Sequence, residues 1–228
     1  MPTPGEFRFR EIRAFDEVDS TNRYLLDEAR EGAPEGVVAV ADHQTAGRGR
    51  LGRRWEAPPG SALLCSVLLR PGLPTERLHL ATAVVALAAA EACERVAGVR
   101  PEVKWPNDLL LGDRKLAGVL AEAELPAVVV GIGVNLRAAP PGAAALGEVD
   151  RDALLRELLA GLERRYGRWD EVAAEYRAVC ATVGRRVRVE PMGGEPFVGI
   201  AERVTDEGHL VVDGRAVAAG DVHHLRPA

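Results

Sequence analysis

The segment of residues 44–55 combines residue types that could bind a small anion. It interleaves four arginines with three glycines and has no carboxylate, although the whole chain carries a formal net charge of -5. Crowded guanidinium groups repel one another, and phosphate or carboxylate oxygens between them remove that cost. Glycines let backbone N–H groups approach a ligand closely. We therefore expect a flexible loop that closes over an anionic ligand, with a solvated basic turn as the alternative.

A second group of candidate residues follows further along the chain. Residues 104–108 supply a cation, an aromatic ring, an amide and a carboxylate in close succession. Lys115 begins an otherwise apolar strand, where it could be an edge charge or a cation directed into a site. Asp108 could hold a magnesium ion, or it could form an Asx turn after Pro106.

Two further polar groups adjoin predicted strands and helices. Gly131 and Gly133 end a buried strand and leave room for a flat ligand such as adenine, to which Asn135 offers a donor and an acceptor; close strand packing is the alternative. Residues 20–22 (Ser-Thr-Asn) could bind a neutral polar ligand, although helix capping alone explains Ser20. The sequence has no Ser-His-Asp arrangement and no clustered His or Cys ligands.

Composition and charge limit the classes of protein to which the chain can belong. The chain has 228 residues, 47% of them hydrophobic and 28% charged, which is typical of one large globular domain or one domain plus a small one. No apolar run follows residues 1–4, and the run at 80–90 is too short to span a bilayer. We expect a cytoplasmic protein without a signal peptide. Its three separated cysteines suit buried thiols, and its acidity argues against general nucleic-acid binding.

Alternating strands and helices must position these residues. Hydrophobic patterns predict strands near 7–15, 37–41, 62–69, 103–105, 109–111, 114–121 and 127–134. Helices are predicted at 22–30 after a Ser20 cap, from Thr75 to about 96, and at about 150–166 and 169–180. After Gly184 short β segments alternate with turns, which indicates a small all-β barrel. The fold class is therefore α+β with a mixed sheet, divided into residues 1–183 and 184–228.

Five motifs together resemble those of the biotin–protein ligases, also called biotin–acetyl-CoA-carboxylase ligases. They lie in family order at residues 19–22, 44–55, 104–108, 113–118 and 131–135, and residues 221–226 resemble the end of the family's small barrel. The resemblance covers nearly the whole chain. It implies a mixed sheet with helices on one face, as in class II aminoacyl-tRNA synthetases and lipoate ligases, and a small C-terminal SH3-like β-barrel.

The resemblance implies a two-step reaction with ATP and biotin as substrates and Mg²⁺ as the nucleotide's metal. Biotin and ATP would give biotinyl-5′-AMP, from which a lysine of a biotin carboxyl carrier protein would take the biotin. Catalytic residues would be Lys115, Arg50 and Asp108, with Asp108 positioning Mg-ATP. The biotin-binding residues would be Ser20, Thr21, Asn22, Gln44, Gly47, Arg48, Gly49, Arg50, Lys115 and Gly118. The residues that bind ATP or the adenylate would be Arg50, Arg53, Trp55, Lys104, Asn107, Lys115, Gly131, Gly133 and Asn135.

Two features set this chain apart from many members of that family. About twenty residues precede Ser20, too few for a winged helix–turn–helix, so we expect no DNA-binding repressor function. The stretch at 137–147 is short and rich in Ala and Pro, so the resemblance assigns it no role. We expect no membrane partner, and a homodimer is possible. Alternatives are a lipoate or octanoate ligase of the same architecture, a nucleic-acid module using the arginines of residues 48–54, and a biotin-binding regulator without catalysis.

Overall fold

Two β-sheets organise the chain. The computed structural model describes residues 7–225; the stretch 1–4 and Arg226, which entered the sequence analysis, lie outside that range. A mixed seven-stranded sheet has the order β1-β2-β3-β7-β6-β5-β4, in which only the β1–β2 pair is parallel among its pairs. A five-stranded antiparallel sheet follows at the C-terminal end.

The strands of the first sheet confirm most of the predicted segments. Their bounds are β1 Ile12–Val18, β2 Val38–Gln44, β3 Ala62–Leu69, β4 Glu102–Lys104, β5 Asp108–Leu111, β6 Arg114–Glu124 and β7 Ala127–Asn135. Strands β3 and β7 lie in the middle and are buried along their whole length, so both faces of the sheet must be covered. The first strand begins later than residue 7, where the sequence had predicted it.

Helices cover both faces of this sheet. Helix α1 (Thr21–Arg30) packs Leu25 and Leu26 against Leu68 and Val129. Helices α2 (His79–Ala97), α3 (Arg151–Arg165) and α4 (Trp169–Val179) pack on the opposite face, where neighbouring strand residues such as Val67 point. The expectation of helices on one face is therefore corrected. Alternate residues of a strand point to opposite faces of the sheet, and α1 packs on the residues that point away from α2, α3 and α4.

Helix ends agree with the sequence in all but one case. Ser20 caps α1 and Asp150 caps α3 through side-chain oxygens that accept backbone N–H groups. Gly98 ends α2 in the left-handed conformation, at φ 69°. Thr75 was expected to cap α2, but it begins a 3₁₀ turn, and α2 starts at His79 without a side-chain cap. Pro74 precedes that turn, and its ring fixes the backbone φ angle at the position before Thr75.

The C-terminal sheet shares the main hydrophobic core with the first sheet, through residues such as Val187 and Val222, and also makes polar contacts with the rest of the chain. Its strands are β8 Arg186–Pro191, β9 Phe197–Val204, β10 Leu210–Val212, β11 Arg215–Val217 and β12 Gly220–His224, consistent with the predicted small barrel. The indole N–H of Trp105 donates to the Gly208 carbonyl at 2.8 Å, and His224 Nε2 lies 3.0 Å from Thr182 Oγ1. The division between residues 183 and 184 stays a prediction.

Two further expectations concern the cysteines and the possibility of a membrane-spanning helix. Cys65, Cys93 and Cys180 are buried free thiols, and burial raises the pKa of Cys65 to about 12. Within the described range, no helix has both the length and the apolar character needed to span a bilayer.

The contact between α2 and α3 predicts a sensitive position. A Cβ atom built on Gly161 would lie 3.3 Å from both the Cα and Cβ atoms of Ala88, so the two helices have no room for larger side chains there. Ala88→Leu should lower the free energy of unfolding by about 1–3 kcal/mol through overpacking. Chemical denaturation measures this, with Ala97→Leu on the last turn of α2 as the matched control. Equal stability of the two variants would contradict the tight contact.

Candidate functional site

The arginine-rich segment forms a short antiparallel hairpin that extends from β2. Trp55 N–H donates to the Gly47 carbonyl at 3.1 Å, and Gly49 N–H donates to the Arg53 carbonyl at 2.8 Å. A Cβ atom on Gly47 would lie 2.2 Å from the Trp55 carbonyl oxygen, so this close approach requires glycine. Leu51 and Gly52 turn the chain at the tip with φ of 57° and 73°. We call residues 47–55 the arginine hairpin.

Three arginines of the hairpin contact residues of the two sheets or of the turns between their strands. Arg50 Nη1 donates to Asn107 Oδ1 at 3.1 Å and to the Gly220 carbonyl at 3.4 Å. Arg53 forms an ion pair with Asp221 of β12. Arg48 forms an ion pair with Glu122 of β6 at 2.8 Å. The arginine hairpin is therefore held against both sheets at once.

A cavity of about 220 Å³ lies beside the arginine hairpin and is strongly basic. Six cations line it, Arg48, Arg50, Arg53, Arg54, Lys104 and Lys115, against two carboxylates, Asp108 and Asp221. We call it the basic cavity. Burial lowers the pKa of Arg50 and of Lys104, because desolvation disfavours their charged forms. An anionic ligand would restore the lost stabilisation, so the cavity suits phosphate or carboxylate groups.

Lys115 and Asp108 form a close ion pair in the basic cavity. Lys115 Nζ lies 2.6 Å from Asp108 Oδ1, and Lys104 Nζ lies 4.0 Å from Asp108 Oδ2. The same Nζ of Lys115 is 5.8 Å from the centre of the Trp55 ring. Arg50 lines the same cavity as Lys115 and Asp108. The basic cavity therefore contains all three predicted catalytic residues.

A second, smaller cavity of about 30 Å³ adjoins the first and is lined by polar side chains of α1 and β2. Its residues include Ser20, Thr21, Asn22, Gln44, Arg48, Trp55, Gly118, Gly131 and Gly133. We call it the polar cavity. Thr21 N–H donates to Gln44 Oε1 at 2.8 Å, and Ser20 Oγ accepts from the N–H of Arg23. Arg48, Trp55 and Gly118 line both cavities, so a ligand with a neutral and an anionic end could occupy both.

The glycines of β6 and β7 make room for side chains of the site itself. A Cβ on Gly133 would lie 2.4 Å from the Trp55 ring, and one on Gly131 would lie 2.0 Å from Asn22 Oδ1. The Trp55 indole N–H is buried and has no hydrogen-bond partner among the described residues, so it is a donor available to a ligand. The room predicted for adenine at Gly131 is thus taken by Asn22.

Asn135 has a structural role in this arrangement. Its side chain is buried, and Nδ2 donates to the Ala144 carbonyl at 3.0 Å, which fixes the stretch at 137–147. A contact between Asn135 and adenine stays a prediction, as do the individual biotin and ATP contacts of the other residues. The structure does assign Asn107 a partner, because its side chain bridges Arg50 and the Val119 carbonyl.

Three polar residues of the site escaped the sequence analysis. Ser66 lies in the middle of β3, is fully buried, and contacts both Thr21 and Asn22. Glu122 pairs with Arg48, and Asp221 pairs with Arg53. Ser66 had a visible signal, because it is the one polar residue in the eight-residue strand β3. Glu122 follows Gly118 at an even spacing on β6, which places both on one face.

Comparisons with known proteins agree with this geometry. The profile of the biotin/lipoate A/B protein ligase family matches residues 14–136. A biotin–[acetyl-CoA-carboxylase] ligase of Mycobacterium tuberculosis is 40% identical over 96% of this chain and 90% of its own length. The ligase of that name from Paracoccus denitrificans is 34% identical over 87% of this chain and 92% of its own.

A solved structure extends the likeness to the whole fold. The biotin protein ligase from Aquifex aeolicus in complex with biotin and ATP has a TM-score of 0.81 and 27% identity, and covers 96% of this chain and 100% of that one. The match includes both sheets, since it spans nearly the full length. This chain therefore belongs to the biotin/lipoate A/B protein ligase family, and within it to the biotin–protein ligases.

Proposed function

We propose that this chain, an ATP-dependent biotin–protein ligase, binds the ring of biotin in the polar cavity and the phosphates of ATP in the basic cavity. The observation that carries the proposal is that the two cavities adjoin and share Arg48, Trp55 and Gly118. The ureido ring is neutral and polar, which suits the hydroxyl and amide groups of Thr21 and Gln44. The carboxylate of biotin would then point toward Lys115 and the α-phosphate.

In the first step a carboxylate oxygen of biotin attacks the α-phosphorus of ATP. The new P–O bond forms as the bond to the bridging oxygen of pyrophosphate breaks, which gives biotinyl-5′-AMP and pyrophosphate. Two anions approach one another, so cations at the reacting atoms lower the barrier. Lys115 and Arg50 supply that charge, and Asp108 forms an ion pair with Lys115 at 2.6 Å. Arg53 and Lys104 would bind phosphate oxygens.

In the second step a neutral lysine amine of the carrier attacks the acyl carbon of the adenylate. The amide bond forms, AMP leaves with the electron pair of the C–O bond, and the amine loses a proton. The adenylate is a reactive anhydride, and the arginine hairpin closes over its position and excludes water. Trp55 would contact the adenylate with its ring and its unpaired N–H.

Magnesium enters this proposal only as part of the Mg-ATP substrate. Asp108 was predicted to position it, but Lys115 and Lys104 are the groups nearest to its oxygens. A metal ion bound to Asp108 would have to displace Lys115. The described residues include no cluster of three or more acidic, His or Cys side chains that could hold a metal. Coordination of the ion by Asp108 therefore stays a prediction.

The partner in the second step is proposed to be the biotin carboxyl carrier domain of a carboxylase. The reaction would take place in the cytoplasm, without DNA or membrane partners. A homodimer would use the outer edge of β1 in the seven-stranded sheet, because the outer edge of β4 is covered by residues 180–182, where Ala181 N–H donates to the Val103 carbonyl at 2.8 Å. Edge strands offer unpaired backbone groups to a second strand.

Release of pyrophosphate from ATP by the purified protein tests the proposed substrate. Biotin should support release and lipoate should not, because the apolar ring of lipoate would leave the hydrogen-bonding groups of the polar cavity unpaired. Release that depends on lipoate and not on biotin would retain the mechanism and replace the substrate. No release with either acid would overturn the enzymatic proposal.

Lys115→Ala should slow pyrophosphate release by roughly a hundredfold or more, because it removes a cation from the developing charge. Arg114→Ala is the matched control: Arg114 is the preceding residue on β6 and is exposed on the other face. Single-turnover kinetics at saturating biotin and ATP separate the chemical step from binding. A Lys115→Ala rate close to that of Arg114→Ala would remove Lys115 from the mechanism.

Arg50→Gly should loosen the adenylate, because the side chain that ties the arginine hairpin to Asn107 and Gly220 is lost. Escaped adenylate would label lysines of any nearby protein. Biotin transfer to bovine serum albumin, a protein that is no carrier, measures this escape, with Arg54→Gly as the control within the same hairpin. Labelling of albumin no greater than with Arg54→Gly would show that Arg50 does not retain the adenylate.

A further inference from the structure

The carboxylate of Glu122 lies between two residues that are expected to bind biotin. Arg48 Nη2 is 2.8 Å from Glu122 Oε1, and Asn22 Nδ2 is 2.9 Å from Glu122 Oε2. Both contacts come from outside β6: Arg48 belongs to the arginine hairpin and Asn22 to α1. About 20% of the Glu122 side chain is exposed, so the ion pair is largely removed from solvent on its side.

The hydrogen bonds around Asn22 allow one orientation of its amide. Nδ2 faces two acceptors, Glu122 and the Leu120 carbonyl at 3.2 Å. Oδ1 lies 2.6 Å from Ser66 Oγ, which can donate to it. A rotated amide would set its NH₂ group against a hydroxyl and its oxygen against two acceptors, so Glu122 and Ser66 together fix Asn22.

The same logic extends to Thr21 and Gln44. Ser66 Oγ also lies 2.7 Å from Thr21 Oγ1. A hydroxyl has one proton and Asn22 Oδ1 can only accept, so Ser66 donates to Asn22. Thr21 Oγ1 lies 2.7 Å from Ser66 Oγ and 3.0 Å from Gln44 Oε1, so its one proton serves one of these two acceptors. The N–H of Thr21 in turn donates to Gln44 Oε1 at 2.8 Å. A continuous set of contacts thus joins Gln44, Thr21, Ser66, Asn22, Glu122 and Arg48; we call it the polar relay.

Charge gives Glu122 a second effect. Its pairing compensates Arg48 at the end of the polar cavity, whereas the other five cations of the basic cavity face only two carboxylates, Asp108 and Asp221. A ligand with a neutral end and an anionic end therefore has one favourable orientation. Its neutral ring meets the compensated end, and its carboxylate meets the cations around Lys115.

We propose that Glu122 is a positioning residue that fixes Arg48 and Asn22 for the ring of the acid substrate and, by compensating Arg48, directs the carboxylate of that substrate toward the basic cavity. Ser66 supports the same arrangement from the opposite side of Asn22. This inference rests on the proposed function, since it assigns a role within the biotin site. The relay acts on the acid and leaves the nucleotide phosphates untouched.

Glu122→Gln tests the proposal against Glu124→Gln. Glu124 lies two residues further along β6 and pairs with Arg30 at 2.7 Å, so the control loses a comparable ion pair away from the site. Calorimetric titration of biotin without ATP should show binding weakened about tenfold or more in Glu122→Gln, as expected for loss of a charged hydrogen bond. The KM for biotin should rise in step, while the KM for ATP and the Tm should match those of Glu124→Gln.

A double-mutant cycle with Ser66→Ala separates a relay from independent contacts. Ser66→Ala and Glu122→Gln both act through Asn22, so their combined loss of biotin affinity should be smaller than the product of the single losses. Ser66→Ala combined with Glu124→Gln should give the simple product. A simple product in both pairs would overturn the relay.

The remaining outcomes are equally decisive. Biotin affinity in Glu122→Gln equal to that in Glu124→Gln would overturn the inference alone, provided that the wild-type protein binds biotin. Failure of the wild-type protein to bind biotin would overturn the proposed function and this inference with it. If Glu122→Gln does not fold, Ser66→Ala decides by itself: a rise in KM for biotin with unchanged KM for ATP supports the relay, and equal rises in both overturn it.

Discussion

Repulsion among six cations around one cavity constrains the whole arrangement of this chain. The cations come from the arginine hairpin, from β4 and from β6, and each needs an acceptor in the folded protein. Carboxylates arrive from separate elements: Asp108 from β5, Glu122 from β6 and Asp221 from β12. Burial lowers the pKa of Arg50 and Lys104, so these pairs compensate the cationic groups only in part. An anionic substrate completes the compensation, which is why a basic site on an acidic protein favours nucleotide binding.

This constraint also explains why the C-terminal sheet belongs to the site. Asp221 pairs with Arg53, and the neighbouring Gly220 carbonyl accepts from Arg50. Trp105, which precedes the Asn107 partner of Arg50, donates to Gly208 of the same sheet. The C-terminal sheet therefore contributes acceptors to the arginine hairpin in addition to packing, and its position is coupled to that of the hairpin.

The fold was largely predictable, because its signals are local. Continuous apolar runs gave β3 and β7, and glycine ended α2 at Gly98 where the sequence indicated. Thr75 was misassigned because the cap motif is common, and the 3₁₀ turn after Pro74 competes with it. The family resemblance implied helices on one face of the sheet, whereas α1 covers the second face, which a buried strand sequence does not indicate.

The site was predictable in its residue types and less so in its pairings. Residues 44–55 and Lys115 stand out because charge and glycine are unusual at those positions. Their partners lie far away in sequence: Arg48 and Glu122 are 74 positions apart, and Arg53 and Asp221 are 168 apart, by subtraction of their numbers. A single sequence does not show which residues so far apart along the chain lie close together in the fold. Ser66 was missed for a different reason, because a lone serine in a buried strand is usually satisfied by nearby backbone.

The two cavities share Arg48 and Trp55, and this sharing has a consequence for how the substrates act on one another. Trp55 lies against Gly133 with a buried N–H that lacks a partner among the described residues, and Arg48 is held by Glu122. In the proposed arrangement, a ring in the polar cavity would contact the base of the hairpin, and phosphates in the basic cavity would contact Arg50 and Arg53 near its tip. Both substrates would therefore act on one segment, which the protein already holds in place through Asn107 and Gly220 at its tip and through Glu122 at its base.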